Sequence, residues 1–502
     1  MGYTITILPE GKKLSAEAGQ TLLNVLRAHN LAPDAPCGGN GKCGKCTVLA
    51  DGKEVLSCQY RISGDIVIRL IPKNDSTKVL TQGYGADVEM LPYCSGHMLA
   101  FDIGTTTVVC YLLQEGTGSV LAVCSCVNPQ QSFGADVISR IQNALSGEQE
   151  TLTRLIRGEM ENLLQQACKV AAVTPQQIGV VSVVGNPCMQ QLFLGISPQN
   201  LAAVPFAPVL TRAEVCDAGA YLPSCGNARL LIVPDISGYV GADTVGCVLS
   251  TGIDQSEPIT LMVDIGTNGE MVLGNCRRMA ACATAAGPAL EGARIRFGMR
   301  GAEGAIDHVW LEDGAVRCSV IGGGTAKGIC GSGLIDAVAV LLEAGLVNRR
   351  GRLQSREQAQ VLSQHLREAE GQRIFDLTDG VYLTQEDIRE VQMAKGAIAA
   401  GIDLMAAHLG IEIQQIQQVL LAGAFGSYIR PESACRIGLL PPVLLEKVRA
   451  VGNAAGSGSR RLACSRAELD RAQRIVDQAE FLELASIPGF QKSFAKNMEF
   501  RP

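Results

Sequence analysis

Four cysteines near the N-terminus are the residues whose types and spacing speak most directly of chemistry. Cys37, Cys43 and Cys46 share one loop, Cys37-Gly38-Gly39-Asn40-Gly41-Lys42-Cys43-Gly44-Lys45-Cys46, and Cys58 follows a short hairpin over 47–57. Three thiolates with gaps of five and two residues, and a fourth eleven residues further on, can converge on one centre. The glycines permit positive φ and let backbone N–H groups turn toward sulfur, where hydrogen bonds stabilise added negative charge. Lys42 and Lys45 add positive charge nearby. A Cys₄ zinc site is the competing metal reading, and unligated thiols are a third. Zinc sites usually use two short-spaced cysteine pairs on separate knuckles, so one glycine-rich loop holding three cysteines favours [2Fe–2S].

A second chemistry recurs further along. Leu99-Ala100-Phe101-Asp102-Ile103-Gly104-Thr105-Thr106-Thr107-Val108 is an apolar strand, a carboxylate, a tight turn and a returning strand. The plan returns about 160 residues later as Leu261-Met262-Val263-Asp264-Ile265-Gly266-Thr267-Asn268-Gly269-Glu270-Met271-Val272, which suggests two related lobes. Small hydroxyl residues and glycines in such turns present donors to phosphate oxygens, while the preceding carboxylate can hold hydrated Mg²⁺ or orient a water. Each hairpin alone is most simply just a hairpin; together they can clamp one nucleotide. Val419 to Ser427, with Gly423, Ala424 and Phe425, ends a buried strand where a nucleoside could approach the backbone. Gly322 to Gly333, containing Gly323 and Gly331, reads as a flexible connection or as a hinge feeding an apolar helix from Leu334 to Leu342.

These residues need scaffolds. Tyr3 to Leu8 alternates as a strand, Thr21 to Leu26 reads as a capped helix, and Asp65 to Leu70 supplies another strand. From about Ile71 to Gly96 the periodicity dissolves into a tether, although Val79 to Leu91 has a pattern able to lie along the next unit. The boundaries expected are 1–72, a linker at 73–97, and 98–502 with lobes at about 98–255 and 256–502. Thr384-Gln385-Glu386-Asp387 caps a long amphipathic helix, and Val451 to Arg460 reads as a glycine-rich turn before a closing helix near 465–473. A chain of 502 residues, 47% hydrophobic, has material for several cores. Its net charge of -6 offers no basic field for nucleic acid or anionic lipid. No apolar run approaches the ~20 residues needed to span a bilayer, and a cytoplasmic location is expected. The other fifteen of nineteen cysteines, Cys124 and Cys126 included, read as small buried hydrophobes.

The N-terminal layout resembles the β-grasp ferredoxin domain, an α+β fold. The four glycine-bearing segments, in their order, resemble the superfamily of acetate and sugar kinases, heat-shock proteins and actin, which implies a two-lobed α/β domain of ribonuclease-H-like type closing on ATP and Mg²⁺. That resemblance assigns Asp102, Gly104, Thr105 and Thr106 to a first phosphate loop and Asp264, Gly266, Thr267 and Asn268 to a second, with Asp102 and Asp264 catalytic. It assigns Gly423, Ala424 and Phe425 to the nucleoside and Gly323 and Gly331 to the connecting element.

The two halves together resemble the ATP-dependent reductive activators of corrinoid proteins, with further similarity at Asn128-Pro129-Gln130, Phe133 to Arg140, Gly185-Asn186 and Ala286 to Gly292. The resemblance implies that one electron from the cluster returns a Co(II) corrinoid methyl carrier to Co(I). Its implied partners are a corrinoid protein of a methyltransferase system and an upstream low-potential donor, and its implied assembly is a homodimer through the ATPase domain. Plant-type clusters lie at roughly −400 mV, and raising one electron by ~200 mV costs about 4.6 kcal/mol, a sum that ATP-driven closure can supply. Larger members carry a middle domain, for which the short distance from Cys58 to Phe101 leaves no room. Thr284 to Gly292 is the candidate corrinoid-facing loop. The alternatives are an activator of another low-potential enzyme such as a dehydratase, a redox-regulated small-molecule kinase, and a non-enzymatic sensor.

Overall fold

A computed structural model describes residues 2–29, 31–33, 35, 39, 41, 44–70, 88–266, 268–369 and 371–500. Cys37, Cys43, Thr267, the 71–87 part of the expected linker, and the side chains of Ala424 and Phe425 lie outside this description.

Alternating apolar residues build the first unit. Strands β1 (Gly2–Leu8), β2 (Lys12–Glu17), β3 (Thr47–Ala50), β4 (Lys53–Leu56) and β5 (Ile66–Arg69) form one sheet in the order β2-β1-β5-β3-β4. Every second side chain, Ile5, Ile7, Ile66 and Ile68 among them, points to one face and is buried there. Helix α1 (Leu22–Ala28) covers that face with Leu22, Val25 and Leu26. Thr21 caps it, its hydroxyl accepting from the Asn24 N–H at 3.4 Å. This is the expected grasp of a mixed sheet around a helix.

The tether does not hang free along its whole length. Leu91 pairs with the start of a C-terminal helix, its N–H donating to Cys464 O at 3.0 Å and its carbonyl accepting from Arg466 N at 2.9 Å. Residues from Val88 onward therefore belong with the large domain, as the pattern of Val79 to Leu91 allowed.

Two six-stranded sheets follow one plan. In the first, β6 (His97–Ile103), β7 (Thr107–Leu113) and β8 (Val120–Val127) make an antiparallel meander, and β9 (Ile178–Gly185) lies parallel to β6. Beyond β9 come β11 (Arg229–Ile232) and β10 (Glu214–Asp217). In the second, β12 (Thr260–Ile265), β13 (Gly269–Gly274) and β14 (Met279–Thr284) repeat the meander, with Gln418–Ala422 parallel to β12 and Val448–Gly452 beyond it. The expected pair of related lobes is present. The central strands are buried on both faces, so Ile178–Gly185 is buried throughout and apolar but for Ser182, whose hydroxyl donates to Ser459 O at 2.6 Å.

The helices Ala242–Thr251 and Ala454–Cys464 lie between the lobes, in a core drawing Met98, Ala100 and Val184 from the first sheet and Met262, Val272 and Leu420 from the second. Here the reading of 451–460 as a turn is corrected. Its small residues are helical, with Asn453 as N-cap, because they allow two backbones to meet: a Cβ on Gly458 would lie 2.1 Å from Gly246 O. Gly458→Ala is expected to cost on the order of 1–3 kcal/mol through overpacking, read as a lower urea midpoint at unchanged slope. The long helix Gln385–Leu409 begins at Thr384 with the anticipated capping box, completed by Asp387.

Candidate functional site

Antiparallel pairing of β6 with β7 forces the chain to reverse at Gly104–Thr106, directly after Asp102. The reversal is held from beneath by side chains of 128–140. Asn128 donates to Gly104 O at 2.8 Å, Gln131 to Thr106 O at 3.2 Å, and the fully buried Arg140 to Thr105 O. Arg140 is desolvated enough that burial lowers its pKa to about 10. Asn186 donates to the Thr105 hydroxyl at 3.1 Å. These contacts satisfy carbonyls that the turn cannot pair itself, while the Gly104 N–H closes the turn by donating to Thr107 O at 2.9 Å.

The second reversal, at Gly266–Asn268, follows Asp264 in the same way, with Gly266 N donating to Asn268 O at 2.9 Å. The parallel strand Gln418–Ala422 then delivers Gly423 against it. Gly423 has φ +86, and a Cβ there would lie 2.4 Å from Asp264 Oδ1, so only glycine brings this third loop so close. Asp264 itself accepts from the Cys247 thiol at 3.5 Å. Gly331 is the buried first residue of the helix Gly331–Glu343, which packs on the 288–291 turn. Gly323 sits in an exposed turn with open space where a side chain would be, and no contact joins it to the phosphate loops.

Two carboxylates were expected in the cleft; Asp102 and Asp264 are part of a buried cluster of four. Burial raises Asp102 to about 7, with Asp264 adding to the rise and an Asn453 hydrogen bond of 2.8 Å opposing it. Asp264 is raised to about 6 by burial. Asp243 is raised to about 7 by burial and by Asp264 and Asp102, and Glu270 is raised by burial, Asp243 and Asp264. None of the four draws its shift from a cation. Among the described residues no three acidic, His or Cys side chains close on a single metal position. This donor set fits Mg²⁺ held through waters and phosphate oxygens, the manner in which that ion usually binds. Asp243 and Asn453 were missed because each is a helix-start residue remote in sequence. The Gly-Ala-Asp at 241–243 and the Asn453 cap before a run of small residues were the available signals.

Glu291 bridges the lobes by accepting from the Thr106 hydroxyl at 3.0 Å. The 284–292 loop therefore puts a carboxylate against the Gly104–Thr106 turn.

The carboxylate shifts predict a pH dependence. The folded values of the three aspartates lie above the ordinary aspartate value of 3.8, so between about pH 4 and 7 the native state holds more protons than the unfolded chain, and stability falls as pH rises. Without nucleotide, the melting temperature is expected to drop from about pH 5 to 7.5, and MgATP to stabilise more at the upper end. A flat profile in scanning fluorimetry would contradict the carboxylate nest.

In the N-terminal unit, Cys46 and Cys58 share a small apolar pocket with Leu23 and Ala35. The thiols interact directly, and burial raises that of Cys46. Ser57 ties the two segments together, its hydroxyl and N–H both donating to Cys46 O at 2.8 and 3.0 Å. Gly39, from the three-cysteine loop, lies against Cys58. Of the four expected ligands the structure thus brings Cys46 and Cys58 together; Cys37 and Cys43 lie outside the described residues.

Residues 5–65 match a model of the 2Fe-2S iron-sulfur cluster binding domain, 97–256 the RACo middle region, and 258–502 the C-terminal ASKHA domain of RACo. A corrinoid activation enzyme, RamQ, of Eubacterium limosum is 36% identical over 88% of this chain and 73% of its own length. A [Co(II) methylated amine-specific corrinoid protein] reductase of Methanosarcina barkeri is 26% identical over 80% and 76%. A solved reductive activator for a corrinoid, iron-sulfur protein superposes with a TM-score of 0.73 at 27% identity, covering 99% of this chain and 98% of that one. The expected absence of a middle domain is therefore corrected: the middle region is the first lobe, whose sheet forms half of the cleft. With this architecture and these relatives, the chain belongs to the RACo family of corrinoid-protein activators.

Proposed function

We propose that this protein returns a Co(II) corrinoid methyl carrier to Co(I), one electron at a time, at the expense of ATP bound between its lobes. The observation that carries the reading is the coexistence, in one chain, of the cysteine centre and a four-carboxylate cleft lined by two phosphate turns. Cys37, Cys43, Cys46 and Cys58 would hold the cluster, which when bound supplies the single electron that Co(II) accepts. Asp102 and Asp264 would position hydrated Mg²⁺. Gly104, Thr105, Thr106, Gly266, Thr267 and Asn268 would receive the phosphates, and the Gly423–Phe425 turn the nucleoside. Asp243, at the start of the helix Ala242–Thr251 and close enough to Asp264 and Asp102 to be raised by them, would orient the attacking water. Phosphate entering beside Thr106 would compete with Glu291 for its hydroxyl, so nucleotide binding would alter the contact between lobes. A homodimer through the ATPase domain and a low-potential donor complete the proposal.

The test is anaerobic. Reduced protein is mixed with a Co(II) corrinoid methyl carrier from the same cell, and Co(I) absorbance is followed with and without MgATP. A rise that depends on MgATP is expected; no Co(I) despite a reducible cluster and bound ATP would overturn the reading and turn attention to small-molecule kinase substrates.

A further inference from the structure

The cluster-bearing unit touches the large domain through one side chain in particular. Arg27, in the last turn of α1, donates Nε to Ser132 O at 2.7 Å and also reaches the same carbonyl through Nη2. Its guanidinium lies over the Phe133 ring, 4.6 Å from the centroid. On its other side, a Cβ at Gly39 in the three-cysteine loop would lie 3.8 Å from Nη2. Arg27 therefore stands between the cysteine loop and the turn at 128–134.

That turn is the one that braces the first phosphate loop. Asn128 and Gln131 hold Gly104 O and Thr106 O, and Arg140 ties Gly134 O to Thr105 O. Arg300, from the second lobe, also donates to the Gln131 side chain. A shift of the Gly104–Thr106 turn, or of Arg300 in the second lobe, therefore acts directly on the segment on which Arg27 rests.

We infer that Arg27 is a positioning residue for electron delivery: it docks the cluster domain on the 128–134 turn, so that the cluster's place follows the state of the nucleotide cleft. The inference rests on the activator reading for its functional consequence but not for the docking itself. Glutamine can reproduce neither the arginine fork nor its contact over the ring, whereas lysine keeps the charge over the ring and loses the fork.

Hydrogen exchange on the anaerobic holoprotein, with no corrinoid present, tests the dock. Arg27→Gln is expected to raise exchange in 22–28 and 129–133 while β1, β2 and β5 keep their protection. Loss of protection across the whole N-terminal sheet would mean that Arg27 merely supports that fold, and no change at 129–133 would remove the dock; either overturns the inference. MgATP added to the unaltered protein is expected to change exchange in the same two segments, and an unchanged pattern would overturn the link to the cleft. In the Co(I) assay, Arg27→Gln is expected to leave ATP turnover and the cluster spectrum unchanged and to lower Co(I) formed per ADP by about ten-fold. Arg27→Lys should recover part of this. An unchanged or increased ratio counts against positioning, whereas failure of the unaltered protein to form Co(I) would sink the activator reading and leave the exchange result standing.

Discussion

Asp264→Asn is expected to lower ATP turnover on the order of 10²–10³-fold, the range for removing a key electrostatic group from a phosphoryl-transfer site, with the [2Fe–2S] absorbance intact. Asp264 is where three elements meet. It is the penultimate residue of β12, it lies against the backbone of Gly423, and it interacts electrostatically with Asp102, Asp243 and Glu270. Asparagine keeps the shape but removes one negative charge, so the neighbouring carboxylates should ionise more easily and the attraction for Mg²⁺ should weaken. Two readouts separate these effects. Mg²⁺-dependent nucleotide affinity should fall, and the loss of stability between about pH 5 and 7.5 should become shallower because one raised group has gone. If turnover stayed within a few-fold of the original, the assignment of the cleft would be wrong.

The second large effect is expected at Cys46. Cys46→Ser should abolish Co(I) formation while leaving MgATP binding unchanged, because Cys46 lies wholly within the N-terminal unit and makes no contact with the phosphate turns. Serine is close to cysteine in volume, and the hydrogen bonds from Ser57 go to the Cys46 carbonyl rather than to its sulfur. The fold of β3 and β4 should therefore survive, which circular dichroism and a normal unfolding midpoint would verify. Retention of a reducible cluster and of Co(I) yield in the variant would exclude Cys46 as a ligand.

Much of this arrangement was readable from local pattern. The strand, carboxylate and turn of 99–108 and 261–272 announce themselves because their parts are contiguous, and pairing across each turn is dictated by alternation within a few residues. Thr384 announced its helix for the same reason. What escaped was assembled across distance. Asp243 enters the cleft only because a helix from the first lobe runs against β13, and Asn453 reaches Asp102 over 351 positions of sequence. The 451–460 segment misled because glycine and serine have the same local preference for turns whether or not a partner helix waits; Gly246 settles the matter from two hundred residues away. The middle domain was overlooked for a different reason. Its sheet is one half of a two-lobed cleft, so its residues had already been counted as the first lobe.

The meeting of Gly246 and Gly458 has a mechanical consequence. Helices that interlock through side chains must lift ridges from grooves before one can turn upon the other. Here the two backbones touch with nothing interposed, in the middle of the core that joins the sheets. With no side chain at the contact itself, dilation on rotation is confined to the surrounding packing of Val245, Leu249 and Leu462, so the rate of cleft closure is expected to depend less on hydrostatic pressure than it does in Gly458→Ala.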